Sequence, residues 1–289
     1  MPQLLIGQLV PASLYALVSV GFVIVYRSTK VLDFAQGQLV LLGGFGAFTL
    51  AQFFHGNALW TLLTAIVGSL IIGALIYLLI LRPLLNAGPL VLVMLTIALA
   101  IVLTAAVSII WGVSTRFVHL NVGQGAVTLP GNIVLSDVGI GTIIAAVVVL
   151  GGAALVLRYT RFGAATRAAA ENPLLATYRG VNVAQVAAIT WGFAMATAML
   201  AGVSYSMQAG LSASDAETLG FAAFPAVLVG GLDSMGGALV GSIVLAEIQG
   251  LGVRYFGANF SAPVGYLLLL AFLLVRPTGL FGSKDILRV

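Results

Sequence analysis

The sequence contains no cysteine, so disulfides, thiol catalysis and Cys-ligated metal are excluded from the start. Charge is nearly as scarce. Only 7% of the 289 residues are Asp, Glu, Lys or Arg, against roughly 25% in soluble domains. A chain so poor in charge cannot cover a water-facing surface. Catalytic groups are thin as well: there are eight acids and two histidines, His55 and His119, far apart and without acidic neighbours. No HExxH, paired-carboxylate or nucleophile-elbow pattern occurs. Neither lysine, Lys30 nor Lys284, follows a glycine, so there is no phosphate-cradling Walker A loop. These absences argue against an enzyme. The net charge of +4 is small and scattered, which argues against nucleic acid as a partner.

What remains is 61% hydrophobic residues, a mean hydropathy of +1.16 and 35 glycines. Hydrocarbon is the solvent that such a surface tolerates, and glycine lets helices approach closely within it. The expected class is an all-α integral membrane protein, a single transmembrane unit over residues 1–289. A span needs about 20 mostly apolar residues, and runs of that kind cover 4–26, 34–54, 58–81, 90–111, 138–157, 184–208 and 262–276. The first run lacks a basic leader region and is too long for a signal-peptide core, so it is expected to remain as a span. The stretch 221–253 is interrupted by Gly230-Gly231-Leu232-Asp233-Ser234-Met235-Gly236-Gly237 and reads as two segments, 221–231 and 238–253.

Positive charge arbitrates between eight and nine crossings. With nine, and the N-terminus outside, ten of the twelve basic residues fall inside: Arg27, Lys30, Arg82, Arg158, Arg161, Arg167, Arg179, Arg276, Lys284 and Arg288. Arg116 and Arg254 stay outside, a strong positive-inside bias that puts the C-terminus in the cytoplasm. A sequence echo supports nine. Leu32-Asp33-Phe34-Ala35 with Val40-Leu41-Leu42-Gly43-Gly44 matches Leu219-Gly220-Phe221-Ala222 with Val227-Leu228-Val229-Gly230-Gly231 at equal spacing. Four spans, a linking span and four more would make an inverted repeat, with a substrate path near the interrupted segments.

The charged loop 158–183 carries Glu171-Asn172-Pro173-Leu174-Leu175-Ala176-Thr177-Tyr178-Arg179-Gly180. Asn172 suits a helix N-cap, Pro173 the first turn, Arg179 the negative end of the helix dipole, and Gly180 the left-handed residue after it. Such a short capped helix either rests on lipid through Leu174, Leu175 and Tyr178 or seats in a cytoplasmic motor subunit. Polar residues on or beside interrupted spans are candidates for the path: Tyr15, Ser19, Gln36, Gln38, Asp233 and Ser234. Each has a plainer reading. Asp33 beside them would cap the second span and pair with Lys30, and Asp233 would complete a tight turn. Glu247 is either functional or paired with Arg254. The segment Val113 to Asp137, with Gly123, Gly125, Pro130 and Gly131, has no membrane pattern. Together with Asp215 and Glu217 it is a candidate docking surface on the outer face, or a connector.

Several of these stretches resemble, in order, branched-chain amino acid ABC permeases of the LivH type. They are Gly7-Gln8-Leu9 with Ser13-Leu14-Tyr15-Ala16-Leu17, Leu32-Asp33-Phe34-Ala35-Gln36-Gly37, Arg167 to Asn182, and Val229 to Ala238. Asp33 and Gln36 differ from the commonest family residues there. The resemblance implies a bacterial cytoplasmic (inner) membrane subunit working with a second related permease, two ABC ATPases and an external solute-binding protein. ATP and Mg would bind to the ATPases and no cofactor to this chain. Glu171, Asn172, Pro173, Arg179 and Gly180 would then form the ATPase-coupling contact. Related permeases carry urea or short amides, which keeps the cargo open. A stand-alone transporter or channel is the main rival, disfavoured because the acids cluster at span ends. A membrane scaffold without transport is a second.

Overall fold

The structure is a computed structural model that describes residues 2–123, 125–129, 133–276 and 279–282. Pro130, Gly131, Lys284 and Arg288 lie outside the described residues. A short α1 (Pro2–Gly7) leads into α2 (Leu9–Thr29), followed by α3 (Gln36–Phe53), α4 (Ala58–Ile76) and α5 (Pro89–Trp111). α4 runs on through a π-helical turn at Tyr77–Leu81 and a 3-10 turn at Arg82–Ala87. After a loop come α6 (Asp137–Tyr159), α7 (Arg161–Glu171), α8 (Pro173–Tyr178), α9 (Val183–Ala209), α10 (Ala213–Gly230), α11 (Met235–Phe256) and α12 (Ser261–Val275). The only strands among the described residues, β1 (Ala126–Leu129) and β2 (Ile133–Ser136), pair as an antiparallel hairpin in the α5–α6 loop. No strand was anticipated in that segment, which has no membrane pattern.

Seven of these helices are long and apolar enough to cross a membrane by length and composition. The remaining two long helices, α3 and α10, are diluted by Gln36, Gln38 and Gln52 and by Asp215 and Glu217 respectively. Both nevertheless sit inside the bundle, buried along much of their length. The expected interruption is present at 231–234, but α10 starts at Ala213, well before the anticipated 221. Its start is written locally: Ser212 and Asp215 form a capping box, each side chain accepting from the other's backbone N–H.

The longest helix, α9, is the centre. It packs on α2, α3, α4 and α6, while α2 packs on α9, α10 and α11. α3 also touches α5, as α10 touches α12. Exchanging α2–α5 for α9–α12, with α6 as the link, maps these neighbours onto each other, which is the packing expected of an inverted repeat. The sequence echo is out of register with it: Leu32 to Ala35 precedes α3, whereas Leu219 to Ala222 lies within α10.

Lipid supplies no hydrophobic drive between helices, so close contact has to do the work. A Cβ added at Gly202 of α9 would run into the Val40 carbonyl and sit 3.0 Å from Gly44 N on α3. α3 and α10 cross as tightly: a Cβ at Gly220 would stand 2.6 Å from Gly37 Cα. Gly46, on the same α3, has no atom within 4 Å of its missing Cβ. Gly202→Val should therefore cost about 2 kcal/mol or more through overpacking. Gly46→Ala should be neutral or stabilising by up to about 1 kcal/mol. Thermal unfolding of the purified variants in detergent checks this; equal melting shifts would contradict the packing.

Candidate functional site

The basic loop folds as two helices. Thr160 caps α7, accepting from Gly163 N at 3.3 Å, and α7 lays Gly163, Thr166 and Ala169 against α2, α6 and α9. Arg167 donates to the Leu157 carbonyl and pins the turn. α7 was not anticipated, although small residues at threes and a Thr cap were there to read. α8 follows as expected. Asn172 Oδ1 accepts from Leu175 N at 3.0 Å, Pro173 opens the helix, Arg179 N–H returns to the Leu175 carbonyl at 3.1 Å, and Gly180 takes φ +81°. Glu171, Asn172, Pro173, Arg179 and Gly180 are all exposed. Only Ala176 of α8 is buried, leaving Leu174, Leu175 and Tyr178 at 73%, 61% and 86% exposure.

A second feature lies at mid-depth. α2 ends at Lys30 in the left-handed region (φ 55°), and the chain turns back before α3 starts at Gln36. Gln36 Nε2 lies 3.5 Å from the Val18 carbonyl and fills the space where Gly21 lacks a side chain. α3 thus begins level with the middle of α2. The irregular run is satisfied from α5: Thr96 Oγ1 accepts from Phe34 N at 3.3 Å and lies 3.3 Å from the Leu32 carbonyl. Asp33 is buried, and its Oδ1 accepts from Ala35 N at 3.0 Å while Oδ2 has no partner. It neither caps α3 nor pairs with Lys30, whose amine lies 5.2 Å from the Tyr26 ring centroid.

The third feature follows α10. Pro225 sits inside this helix and offers no N–H to the Phe221 carbonyl four residues back. The Tyr266 hydroxyl of α12 donates to that carbonyl instead, at 3.2 Å. Beside this tie opens a cleft of about 280 Å³ lined by Glu217, Thr218, Phe221, Pro225, Gln249 and Tyr266 among others. Adjoining the cleft, with Glu217 and Phe221 shared between them, a narrow groove takes in Gln38 and the rings of Phe22, Phe34 and Phe224. Phe224 stands 5.8 Å from Phe22 and 5.5 Å from Phe34, centroid to centroid.

The predicted path residues separate accordingly. Gln38 lines the groove. Tyr15 stands one bond behind the cleft, donating to Gln249 Oε1 at 2.8 Å. Gln36 is packed between helices, as is Ser19, which lies 3.4 Å from Ser242. Asp233 and Ser234 belong to the basic end, away from the cleft: Ser234 caps α11 by accepting from Gly237 N at 3.0 Å, and Asp233 interacts with the Arg27 charge. Asp215 is engaged in its capping box, whereas Glu217 is exposed. Glu247 has a buried Oε2 without a partner, and no ion pair joins it to Arg254. The cleft itself was not read from the sequence. Its signals were a proline within an apolar run and lone polar residues, Gln249 and Tyr266, in spans.

Among the described residues no three His, Cys, Asp or Glu side chains gather to hold a metal. A bundle of apolar helices with paired halves and breaks satisfied by neighbouring helices is the architecture of a multi-pass membrane protein. The sequence profile of the family described as branched-chain amino acid transport system / permease component matches residues 4–276, so the chain belongs to that family. The chain is 30% identical to the high-affinity branched-chain amino acid transport system permease protein LivH of Salmonella typhimurium, over 96% of this chain and 94% of that protein. LivH of Escherichia coli (strain K12) matches with the same identity and coverage. The corresponding permease protein BraD of Pseudomonas aeruginosa is 28% identical over 99% of this chain and 97% of its own. No solved structure gives a significant match.

The Pro225–Tyr266 arrangement is testable by a double-mutant cycle. Tyr266→Phe alone should destabilise by about 1 kcal/mol, because the Phe221 carbonyl loses its donor. In a Pro225→Ala background the backbone N–H at 225 serves that carbonyl, and the same change should cost little. Additive melting shifts would contradict the assignment.

Proposed function

We propose that this chain is the membrane-spanning permease subunit of an ATP-driven importer in the bacterial cytoplasmic membrane. Its cargo is branched-chain, apolar amino acids handed over by an external solute-binding protein. It works beside a second related permease and two ATPase subunits, which bind the ATP and Mg. The basic end faces the cytoplasm, an orientation supported by the positive-inside bias of the sequence, which also assigns the C-terminus to that side; the end holding His55, Arg116 and Arg254 faces outward.

The observation that carries the reading is α8. A helix of six residues, capped at both ends, holds two leucines and a tyrosine away from the bundle at the basic end. Apolar side chains anchored this way suit a groove in a cytoplasmic motor subunit, with Glu171 and Arg179 as its charged flanks. Closure of the ATPase pair on ATP would push this helix. α7, which packs on α2, α6 and α9, passes the movement to the spans.

Radiolabelled leucine uptake into vesicles holding the two permeases, the ATPases and the binding protein tests the function. ATP-dependent uptake lost on omission of this chain is expected. Uptake of urea or an amide in place of leucine would change the cargo, and ion-driven uptake by this chain alone would overturn the ABC reading. Tyr178→Ala should weaken ATPase association by about 2 kcal/mol, the scale of an aromatic interface anchor. Glu171→Ala or Arg179→Ala should lower binding-protein-stimulated ATP hydrolysis; unchanged stimulation would remove these residues from the contact.

A further inference from the structure

The exposed face of α10 presents Ser214, Glu217, Thr218 and Phe221, all lining the cleft shared with α11 and α12. From Ser214 to Pro225 the cleft follows α10 for about 16 Å, from its outward end to beyond its middle. A carboxylate on the exposed face of a helix within a bilayer is costly unless water or a cation meets it. Among the described residues Glu217 has no ion pair or hydrogen bond, so its carboxylate is available to a ligand.

Gln249 supplies the complement. Its Oε1 is engaged by the Tyr15 hydroxyl at 2.8 Å, which leaves the Nε2 donors on the other side of the amide. That nitrogen faces Gly265, whose missing Cβ would stand 2.9 Å from it, and Gly265 lines the same cleft. The apolar part of the lining comes from Phe221, Ala222, Pro225 and Gly265. An anion, a neutral double donor and an apolar surface within about 280 Å³ match a small zwitterion with a hydrocarbon side chain. They match urea, which carries no charge, or a sugar, which has no aliphatic branch, much less well.

We propose that this cleft is a binding site for the free α-amino acid during translocation, with Glu217 receiving the ammonium group and Gln249 the carboxylate. The inference rests on the transport reading above and assigns its substrate contacts. Tyr266 and Tyr15 are positioning residues: one holds the Phe221 carbonyl at the cleft wall, the other orients the Gln249 amide.

The absence of cysteine makes the test direct. Thr218→Cys introduces the sole thiol of the chain, placed in the cleft of the full assembly in lipid nanodiscs. Its modification by a methanethiosulfonate reagent should be slowed by leucine in a saturable way. Neither 4-methylpentanoate, which lacks the ammonium, nor isopentylamine, which lacks the carboxylate, should protect as well. Adding Glu217→Gln should raise the half-protecting leucine concentration about ten-fold or more, the scale of a lost charged hydrogen bond. Gln249→Glu, which places a second carboxylate against that of leucine, should abolish protection while leaving the thiol reactive. Absence of protection, or protection unchanged by Glu217→Gln, would overturn the site. Uptake by the same assembly separates the two readings: ATP-driven leucine uptake without protection discards the cleft alone, and protection without uptake discards the transport reading alone.

Discussion

Inside a bilayer a backbone N–H or carbonyl has no water to turn to, so every interruption of a helix has to be answered by another part of the protein. The breaks in this bundle obey that constraint through named partners. Before α3, Phe34 N–H reaches Thr96 of α5. Where Pro225 withdraws a donor from α10, Tyr266 of α12 replaces it. At the end of α10 the carbonyls of Val229 and Gly230 accept from Leu280 and Phe281 N–H, at 2.8 and 3.0 Å, so the segment after α12 closes the helix that the glycine-rich turn leaves open. Removing such a partner leaves a polar group short of a hydrogen bond, a cost of about 1–3 kcal/mol that grows with burial.

The constraint also explains where openings arise. Regular helices with glycine at their crossings close tightly, as α3 does on α9 and α10. The cleft and the groove lie along α10 at the level where it is irregular and where α3 begins. Tyr266 answers the irregular backbone of α10 there, and Glu217 and Gln249 beside it in the cleft are the groups proposed to meet a small solute. At the basic end, α7 ties the loop to the bundle while α8 stays outside it, so a push on α8 has a route to α2 and α9.

Much of this was legible in the sequence where the signal is local. Apolar runs gave the spans to within a few residues because the bilayer sets one length. Asn172, Pro173 and Gly180 gave α8 because capping depends on neighbours only. The break at 231–234 followed from its glycines. The start of α10 was missed although Ser212 and Asp215 are a capping pair, since two acids nearby looked like an outer loop. Asp33 was read as a cap or an ion-pair partner; it is neither, because the chain turns back into the bundle and carries Asp33 with it, a tertiary event with no local signature. Asp233 and Ser234 looked like path residues only because they flank a break, and depth along the membrane was not readable from that. Gln249 and Tyr266 are separated from Glu217 by one and two helices, and only packing brings them to one cleft.

The central claim is that two halves of opposite orientation place the α8 loop on one side of the membrane and the α3–α4 turn on the other. Single cysteines at His55 and Tyr178, both exposed, report on it when probed in intact cells with a membrane-impermeant maleimide. The account predicts labelling of His55→Cys from outside, and of Tyr178→Cys only after the membrane is permeabilised. Labelling of both from the same side would contradict the arrangement on which the proposed motor contact and the proposed binding cleft both depend.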